Sequence, residues 1–310
     1  MSSIPTVKLN TGAEIPLIGL GTWQSDKGKV RDAVLYALTE TPIRHIDAAY
    51  VYLNEEEVGQ GIAAAIATGK VKRSDIFVTT KVFPAFHNRV QESLDASLKN
   101  LGLDYVDLLL IHWPIGFNPK GNNPLFPKTA EGKADLDPTF SVAATWKQFE
   151  AVQKTGKAKA IGVSNFSTPV LKELLDSGVE IVPAANQIES HPLLPGEEIN
   201  AFSKAHGIVV EAYSPLGSTG APLLENPVIE ELATKYKVPP ATILISWHVN
   251  KGRVVLPKSV TPSRIKTNAE WIKLEDEDIV TLDKLSEKFG TKRIVKPDWG
   301  VDLKFPDWKQ

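Results

Sequence analysis

Cysteine is missing from this chain of 310 residues. No disulfide, thiolate metal site or cysteine nucleophile is therefore open to it, and the composition suits a reducing compartment. An excess of charge of either sign is missing too. The 35 Lys and Arg nearly balance 37 Asp and Glu, and with no basic block neither nucleic acid nor an anionic membrane surface is an expected partner. No run approaches the roughly 18 apolar residues that a membrane-spanning helix needs. The first residues, Met1-Ser2-Ser3-Ile4-Pro5, lack the apolar centre of a signal peptide, and Asp307-Trp308-Lys309-Gln310 is not a retention or peroxisomal address. A cytoplasmic enzyme or binding protein is the expectation.

What is present has the bulk of a globular protein with a large core: 42% of residues are hydrophobic and 23% charged. Residues 6–18 alternate weakly around Asn10-Thr11-Gly12-Ala13, which predicts a β-hairpin. A short strand then runs through 17–21, and Val30, Ala33, Val34, Ala37 and Leu38 follow at helical spacing. The alternation repeats. Apolar runs at 43–46, 76–80, 106–111, 158–163, 181–186, 208–212 and 253–256 are separated by helical patterns near 55–67, 88–101, 142–154, 168–177, 196–206 and 226–236.

Strands alternating with helices imply parallel β-α-β units with right-handed crossovers. Eight such strands predict a closed (β/α)8 barrel of the α/β class, with an N-terminal β-hairpin and long loops on the C-terminal face. An open dinucleotide-binding sheet should carry a third glycine after its first strand. Gly19-Leu20-Gly21-Thr22-Trp23-Gln24 has none, and no Walker A sequence occurs. Residues 113–140 and 214–227 are long loops after strands, and the stretch 286–310 forms a tail bearing Trp299, Phe305 and Trp308. Residues 1–310 read as a single domain.

Chemistry concentrates at strand ends. Asp47 closes the run Arg44-His45-Ile46, Tyr52 lies in the loop beyond it, Lys81 follows Ile76–Thr80, and His112 follows Val106–Ile111. A barrel gathers these ends on one face. An Asp47–Lys81 pair would keep both charged, and Lys81 would lower the pKa of a tyrosine whose ordinary value is about 10. Such a tyrosine can hand a proton to an oxygen while a hydride reaches the neighbouring carbon, with His112 donating a hydrogen bond to that oxygen. Alone, Asp47–Lys81 has a second, less favoured reading as a buried structural ion pair, whereas a lone His112 after an apolar strand reads first as a satisfied core histidine. Tyr50 competes with Tyr52, and spacing does not separate them.

Five stretches carry a family resemblance. Asp47-Ala48-Ala49-x-x-Tyr52-x-Asn54-Glu55-x-x-Val58-Gly59 resembles the first signature of the aldo-keto reductases. Leu101-Gly102-Leu103-Asp104-Tyr105-Val106-Asp107-Leu108, running into His112-Trp113-Pro114, resembles the second. Leu256-Pro257-Lys258-Ser259, with Arg264, Lys266 and Asn268 behind it, resembles the third. Gly162-Val163-Ser164-Asn165-Phe166 and Glu211-Ala212-Tyr213-Ser214-Pro215-Leu216-Gly217 match in order, so the resemblance spans nearly the whole chain. Its pattern is most similar to fungal NADP-dependent glycerol dehydrogenases and glyceraldehyde reductases.

The resemblance implies a tetrad of Asp47, Tyr52, Lys81 and His112, which selects Tyr52 over Tyr50 as general acid in reduction and base in oxidation. It implies direct hydride transfer with NADP(H), no metal and a monomer. By the same resemblance Thr22, Trp23 and Val260 belong with the cofactor. Ser164, Asn165 and Gln187 would pair with the nicotinamide carboxamide, and Tyr213 would stack on the nicotinamide face. Ser214, Leu216 and Ser218 would line the pyrophosphate. Lys258, Ser259 and Arg264 would hold the adenosine 2′-phosphate, a dianion that rewards charge-assisted bonds NADH cannot make. Asn268 would meet the adenine, although Thr267 stands where relatives carry Glu. Trp23, Phe83, His112, Trp113, Phe126 or Phe117, and Trp299 in the tail would line the substrate pocket.

The implied activity is reduction of small aldehydes and ketones such as glyceraldehyde, and oxidation of polyols such as glycerol in reverse. An NADPH-binding regulatory subunit is the alternative, opposed by the complete tetrad. A hydrolytic barrel would need two carboxylates at strand ends, and only Asp47 is clearly placed, with Glu189 a weak second and Glu211 a structural neighbour.

Overall fold

The computed structural model describes residues 3–308. Strands β1 (Thr6–Lys8) and β2 (Glu14–Pro16) pair antiparallel as the predicted hairpin. Its turn closes with Leu9 N–H donating to Ala13 O at 2.8 Å, and Gly12 takes the left-handed φ of 85° that such a reversal needs. Leu9, Ile15, Leu17 and Ile18 bury among Phe77, Leu108, Leu110, Ala160 and Val254, so the hairpin covers the floor of the barrel.

Eight parallel strands stand in sequence order: β3 (Leu20–Gly21), β4 (His45–Asp47), β5 (Phe77–Val82), β6 (Val106–Ile111), β7 (Ala158–Ser164), β8 (Ala185–Glu189), β9 (Val209–Tyr213) and β10 (Val254–Leu256). The seam between first and last is held by the parallel bridges Ile18–Val255 and Gly21–Lys258. Backbone bonds from Gly19 N to Val255 O (3.0 Å), Val255 N to Leu17 O (2.8 Å) and Gly21 N to Pro257 O (3.0 Å) complete it. The expected barrel is thus formed.

Helices α1 (Val30–Glu40), α2 (Glu55–Ala67), α3 (Val90–Leu101), α4 (Val142–Lys154), α5 (Thr168–Asp176), α6 (Glu197–Ala205) and α7 (Pro227–Tyr236) match the predicted stretches within two residues. The five apolar positions read in α1 are the five it buries. Where α2 meets α3 the backbones touch. A Cβ on Gly59 would lie 2.2 Å from Leu101 O, so only glycine permits that approach. Outside the core strands, Trp146 is fully buried, stacks on Phe149 at 5.8 Å and donates its indole N–H to Ile181 O at 2.9 Å. Burying one such side chain contributes roughly 1.5–3 kcal/mol.

Three differences from the sequence reading have physical causes. The strand expected at 181–186 forms at Ala185–Glu189, because Ile181 and Val182 precede the ladder and Val182 is exposed. Lys81 lies inside β5, since the ladder with β6 continues to Val82–Ile111. Helix α8 (Pro240–Asn250) had no predicted counterpart. Eight consecutive residues from Thr242 to Val249 are buried, and a helix covered all round shows no amphipathic period. After β10 come α9 (Pro262–Asn268), α10 (Asp276–Asp283) and α11 (Leu285–Phe289).

The long loop after β6 has its own bridges, Phe117–Leu136 and Lys128–Ala134. The tail is tied down along its length. Glu189 accepts from Ile294 N and Val295 N, both at 2.8 Å, Arg293 forks onto Asp307 at 2.6 and 2.9 Å, and Ser167 donates to Leu303 O at 2.7 Å. No helix among the described residues is long and apolar enough to cross a membrane.

Candidate active site

Asp47 is the last residue of β4, and its backbone is fixed by Thr22, whose Oγ1 and N both donate to Asp47 O at 2.8 and 3.2 Å. The chain then makes a single 3-10 turn over Tyr50–Tyr52, with Tyr52 N donating to Ala49 O at 3.0 Å and Leu53 at a φ of 55°. At about 120° per residue, that turn sends positions two apart to different faces. Tyr50 goes outward and meets Phe86 edge-on at 5.2 Å. Tyr52 goes inward to Lys81.

Lys81 Nζ donates to both Asp47 carboxylate oxygens at 2.7 and 2.8 Å, to Ala48 O at 2.9 Å and to Tyr52 OH at 3.2 Å. Lys81 is 1% exposed and Asp47 4%. Burial is the largest influence on the Lys81 ammonium and would discharge it, but Asp47 and Tyr52 together outweigh burial and raise its pKa. Tyr52 differs from the sequence expectation. Lys81 does pull its pKa down, yet burial is stronger and the net direction is up. Tyr52 therefore keeps its proton at neutral pH and stands beside a fixed cation that can receive the charge when the proton leaves.

His112 follows β6 directly and packs edge-on to Tyr52, centroids 5.7 Å apart. Burial first, and Lys81 second, hold its pKa well below 6.5, so the imidazole is neutral. Its Nδ1 is buried without a partner among the described residues, and a lone pair is less costly there than an N–H. That tautomer places the ring proton on Nε2.

The other strand ends are joined to this group. Gln187 on β8 donates one amide hydrogen bond to Asp47 Oδ1 at 2.8 Å and another to Glu211 Oε2 on β9 at 2.9 Å. Ser164 at the end of β7 donates its hydroxyl to Gln187 O at 2.8 Å, and Asn165 Nδ2 donates to His112 O at 2.9 Å. Tyr213, last in β9, donates its hydroxyl to Asn165 Oδ1 at 2.7 Å, which fixes the ring while leaving it partly exposed. Among the described residues, five non-glycine residues with left-handed backbone follow β3, β7 and β9: Gln24, Asn165, Ser214, Ser218 and Ala221, with φ of 53°, 63°, 52°, 62° and 48°. Such conformations cost about 1–3 kcal/mol each and gather where loops are shaped for a ligand.

Lys258 follows β10 beside the barrel seam, exposed, and donates to Gln24 O at 2.8 Å. Asp26, the carboxylate that pulls on it electrostatically, is itself paired with Lys29 at 2.8 Å. Arg264 is exposed in α9, while Ser259 and Asn268 are buried and Val260 is partly covered. Leu216 is partly buried near α7 and α8. This donor set, two cations with a serine between them in sequence, fits a phosphate dianion.

Over the mouth, Phe83 is buried and takes His112, Phe117 and Phe126 edge-on at 5.8, 5.7 and 5.1 Å. Trp113 meets Trp299 at 4.9 Å, and Trp299 meets Phe117 at 5.6 Å, so the tail contributes an aromatic wall. Trp23 and Phe126 are exposed at 37% and 46%, and Leu53, unnoticed in the sequence, at 75%. Phe117, at 1% exposure, supports that wall from within. Glu189 is occupied by the tail backbone and does not form a second acid beside Asp47. Glu211 was read as a structural neighbour, but the bond to Gln187 links it to Asp47. Residue spacing carries no sign of a link made across strands.

A sequence profile described as "Aldo/keto reductase family" matches residues 17–287. The chain is similar to a D-galacturonate reductase of Hypocrea jecorina, 51% identical over 304 residues with 97% of each chain covered. It is equally similar to a glycerol 2-dehydrogenase (NADP(+)) of Saccharomyces cerevisiae, 51% identical over 303 residues with 96% of each covered. Among solved structures it resembles the aldose reductase from Schistosoma japonicum, with a TM-score of 0.87, 37% identity and 94% and 95% of the two chains covered.

Proposed function

Because the chain belongs to the aldo/keto reductase family, we propose that it reduces small aldehydes and ketones with NADPH and oxidises polyols such as glycerol with NADP+. The observation that carries this is Lys81 Nζ held between both oxygens of Asp47 and, at 3.2 Å, the hydroxyl of Tyr52. When bound, the nicotinamide supplies a hydride to the carbonyl carbon, or accepts one from the alcohol. Ser164, Asn165 and Gln187 would hold its carboxamide, Tyr213 its ring face, and Ser214, Leu216 and Ser218 its pyrophosphate. Lys258, Ser259 and Arg264 would hold the 2′-phosphate, with Thr22, Trp23, Val260 and Asn268 completing the groove.

In reduction Tyr52 gives its proton to the substrate oxygen, and His112 Nε2–H steadies that oxygen. The tyrosinate left behind lies against the Lys81 ammonium and recovers a proton from water. In oxidation the tyrosinate removes the alcohol proton. The aromatic wall of Trp23, Phe83, Trp113, Phe126 and Trp299 excludes water from the exchange.

We also take residues 286–310 to close the substrate pocket, and the chain to act as a cytoplasmic monomer on small molecules, without nucleic-acid or membrane partners. Its mass in size-exclusion chromatography checks the monomer. The test of activity is NADPH consumption with DL-glyceraldehyde and D-galacturonate, wild type beside Tyr52→Phe. Turnover by the wild type with loss of about a thousandfold or more in the variant is expected. Equal rates would remove Tyr52 from its role, and tight NADPH binding without turnover of any aldehyde would favour a regulatory subunit.

A further inference from the structure

Two carboxyl groups compete for one amide in the barrel interior. Glu211 is fully buried on β9, its Cα in register with Gln187 on one side and Val254 on the other. Gln187 Nε2 donates to Glu211 Oε2 at 2.9 Å and to Asp47 Oδ1 at 2.8 Å, so both amide protons are taken. The opposite flip would set the amide oxygen against two acceptors. Lys81 has no proton left for Glu211, since its three N–H bonds are shared among Asp47, Ala48 O and Tyr52. Glu211 Oε1 is buried and has no partner among the described residues. A charged carboxylate with no cation and one free oxygen is too costly to bury, so this geometry requires a neutral one.

We propose that Glu211 is a positioning residue: as a neutral acid it takes the second donor of Gln187 and locks the amide with its first donor on Asp47. Only the amide carbonyl oxygen then remains for a ligand in the barrel mouth. The ligand group such an acceptor suits is the N–H2 of a carboxamide, and in this respect the proposal rests on the nicotinamide reading above. The groups facing Glu211 are Asp47 from β4, Lys81 from β5 and Gln187 from β8. On its own strand Tyr213 lies two residues on, and β10 presents only Val254, Val255 and Leu256. Burial first and Asp47 second push its pKa up to about 8, against the pull of Gln187 and Lys81, which agrees with the neutral form.

Two variants and two measurements test it. Glu211→Met removes the acceptor, whereas Glu211→Gln offers Gln187 the same carbonyl oxygen without a titrating proton. NADPH affinity is read from quenching of tryptophan fluorescence. Weakening of about fivefold or more in the Met variant, recovered in the Gln variant, is expected. Wild-type affinity in both, or equal weakening in both, overturns the role. The second readout is the melting temperature of cofactor-free protein against pH. The folded pKa lies above the ordinary glutamate value, so wild type loses stability relative to Glu211→Gln as pH rises from about 5 to 8, and no further beyond. A difference independent of pH overturns the neutral acid. If the Met variant does not fold, the Gln variant and the pH series still decide. A wild type that fails to bind NADPH would sink the proposed function instead, leaving the pH series to judge Glu211.

Discussion

Tyr52 and His112 are set by burial in opposite senses: the phenol keeps its proton longer than usual and the imidazole refuses a second one. In aldehyde reduction kcat/KM should therefore show no limb near 6.5, and its alkaline limb should lie above the ordinary tyrosine value of about 10. A limb between pH 6 and 7 in that profile would mean that His112 titrates. Lys81→Met should cost about 3–5 kcal/mol in chemical denaturation, because it leaves Asp47 charged and buried without a counter-ion. Lys258→Ala should weaken NADPH by one to two orders of magnitude, about 1.5–3 kcal/mol, and leave NADH nearly unaffected. Titrations with the two nucleotides decide whether the lysine meets the 2′-phosphate. At this scale the sequence was informative wherever a polar residue ended an apolar run, as at Asp47 and His112. Spacing left Tyr50 and Tyr52 equal and only the family resemblance chose Tyr52, because the choice is made by one 3-10 turn whose φ and ψ no residue type announces.

Among the elements, the amphipathic ones were legible. Helix α1 buries the positions its spacing marks, and α2 and α4 begin and end where the pattern does. Helix α8 escaped because the packing of α7, α9 and β10 around it removes the polar face on which periodicity depends. The contact of α2 with α3 offers a test. Gly59→Ala would force a methyl group to within 2.2 Å of Leu101 O, and backbone cannot yield as a side chain can. A loss of about 3 kcal/mol in urea denaturation is expected. A variant as stable as wild type would show that the two helices can part without cost.

For the molecule as a whole, the tail is the part proposed to close the pocket. It has no helix or strand of its own between Gly290 and Trp308, so no pattern foretold its course. Its position comes from Glu189 and Ser167, contacts between residues far apart in the chain, and the Arg293–Asp307 pair ties the tail to itself. Trp299→Ala should raise the aldehyde KM several-fold, roughly the loss of 1 kcal/mol or more of aromatic contact. Glu189→Gln removes the charge from two part-buried N–H bonds, and should make the tail open to limited proteolysis while the barrel persists.

The seam of the barrel has a thermodynamic consequence. Gly21 is bridged to Lys258, so the residue proposed to hold the cofactor's phosphate sits on the joint where the first strand meets the last. Nucleotide binding would then act as a clasp, and part of its free energy would return as resistance of that joint to opening. Added NADPH should slow hydrogen exchange at the Gly19, Gly21 and Val255 amides more than at strands on the far side, such as β6. Equal slowing everywhere would mean that the joint opens only when the whole barrel does.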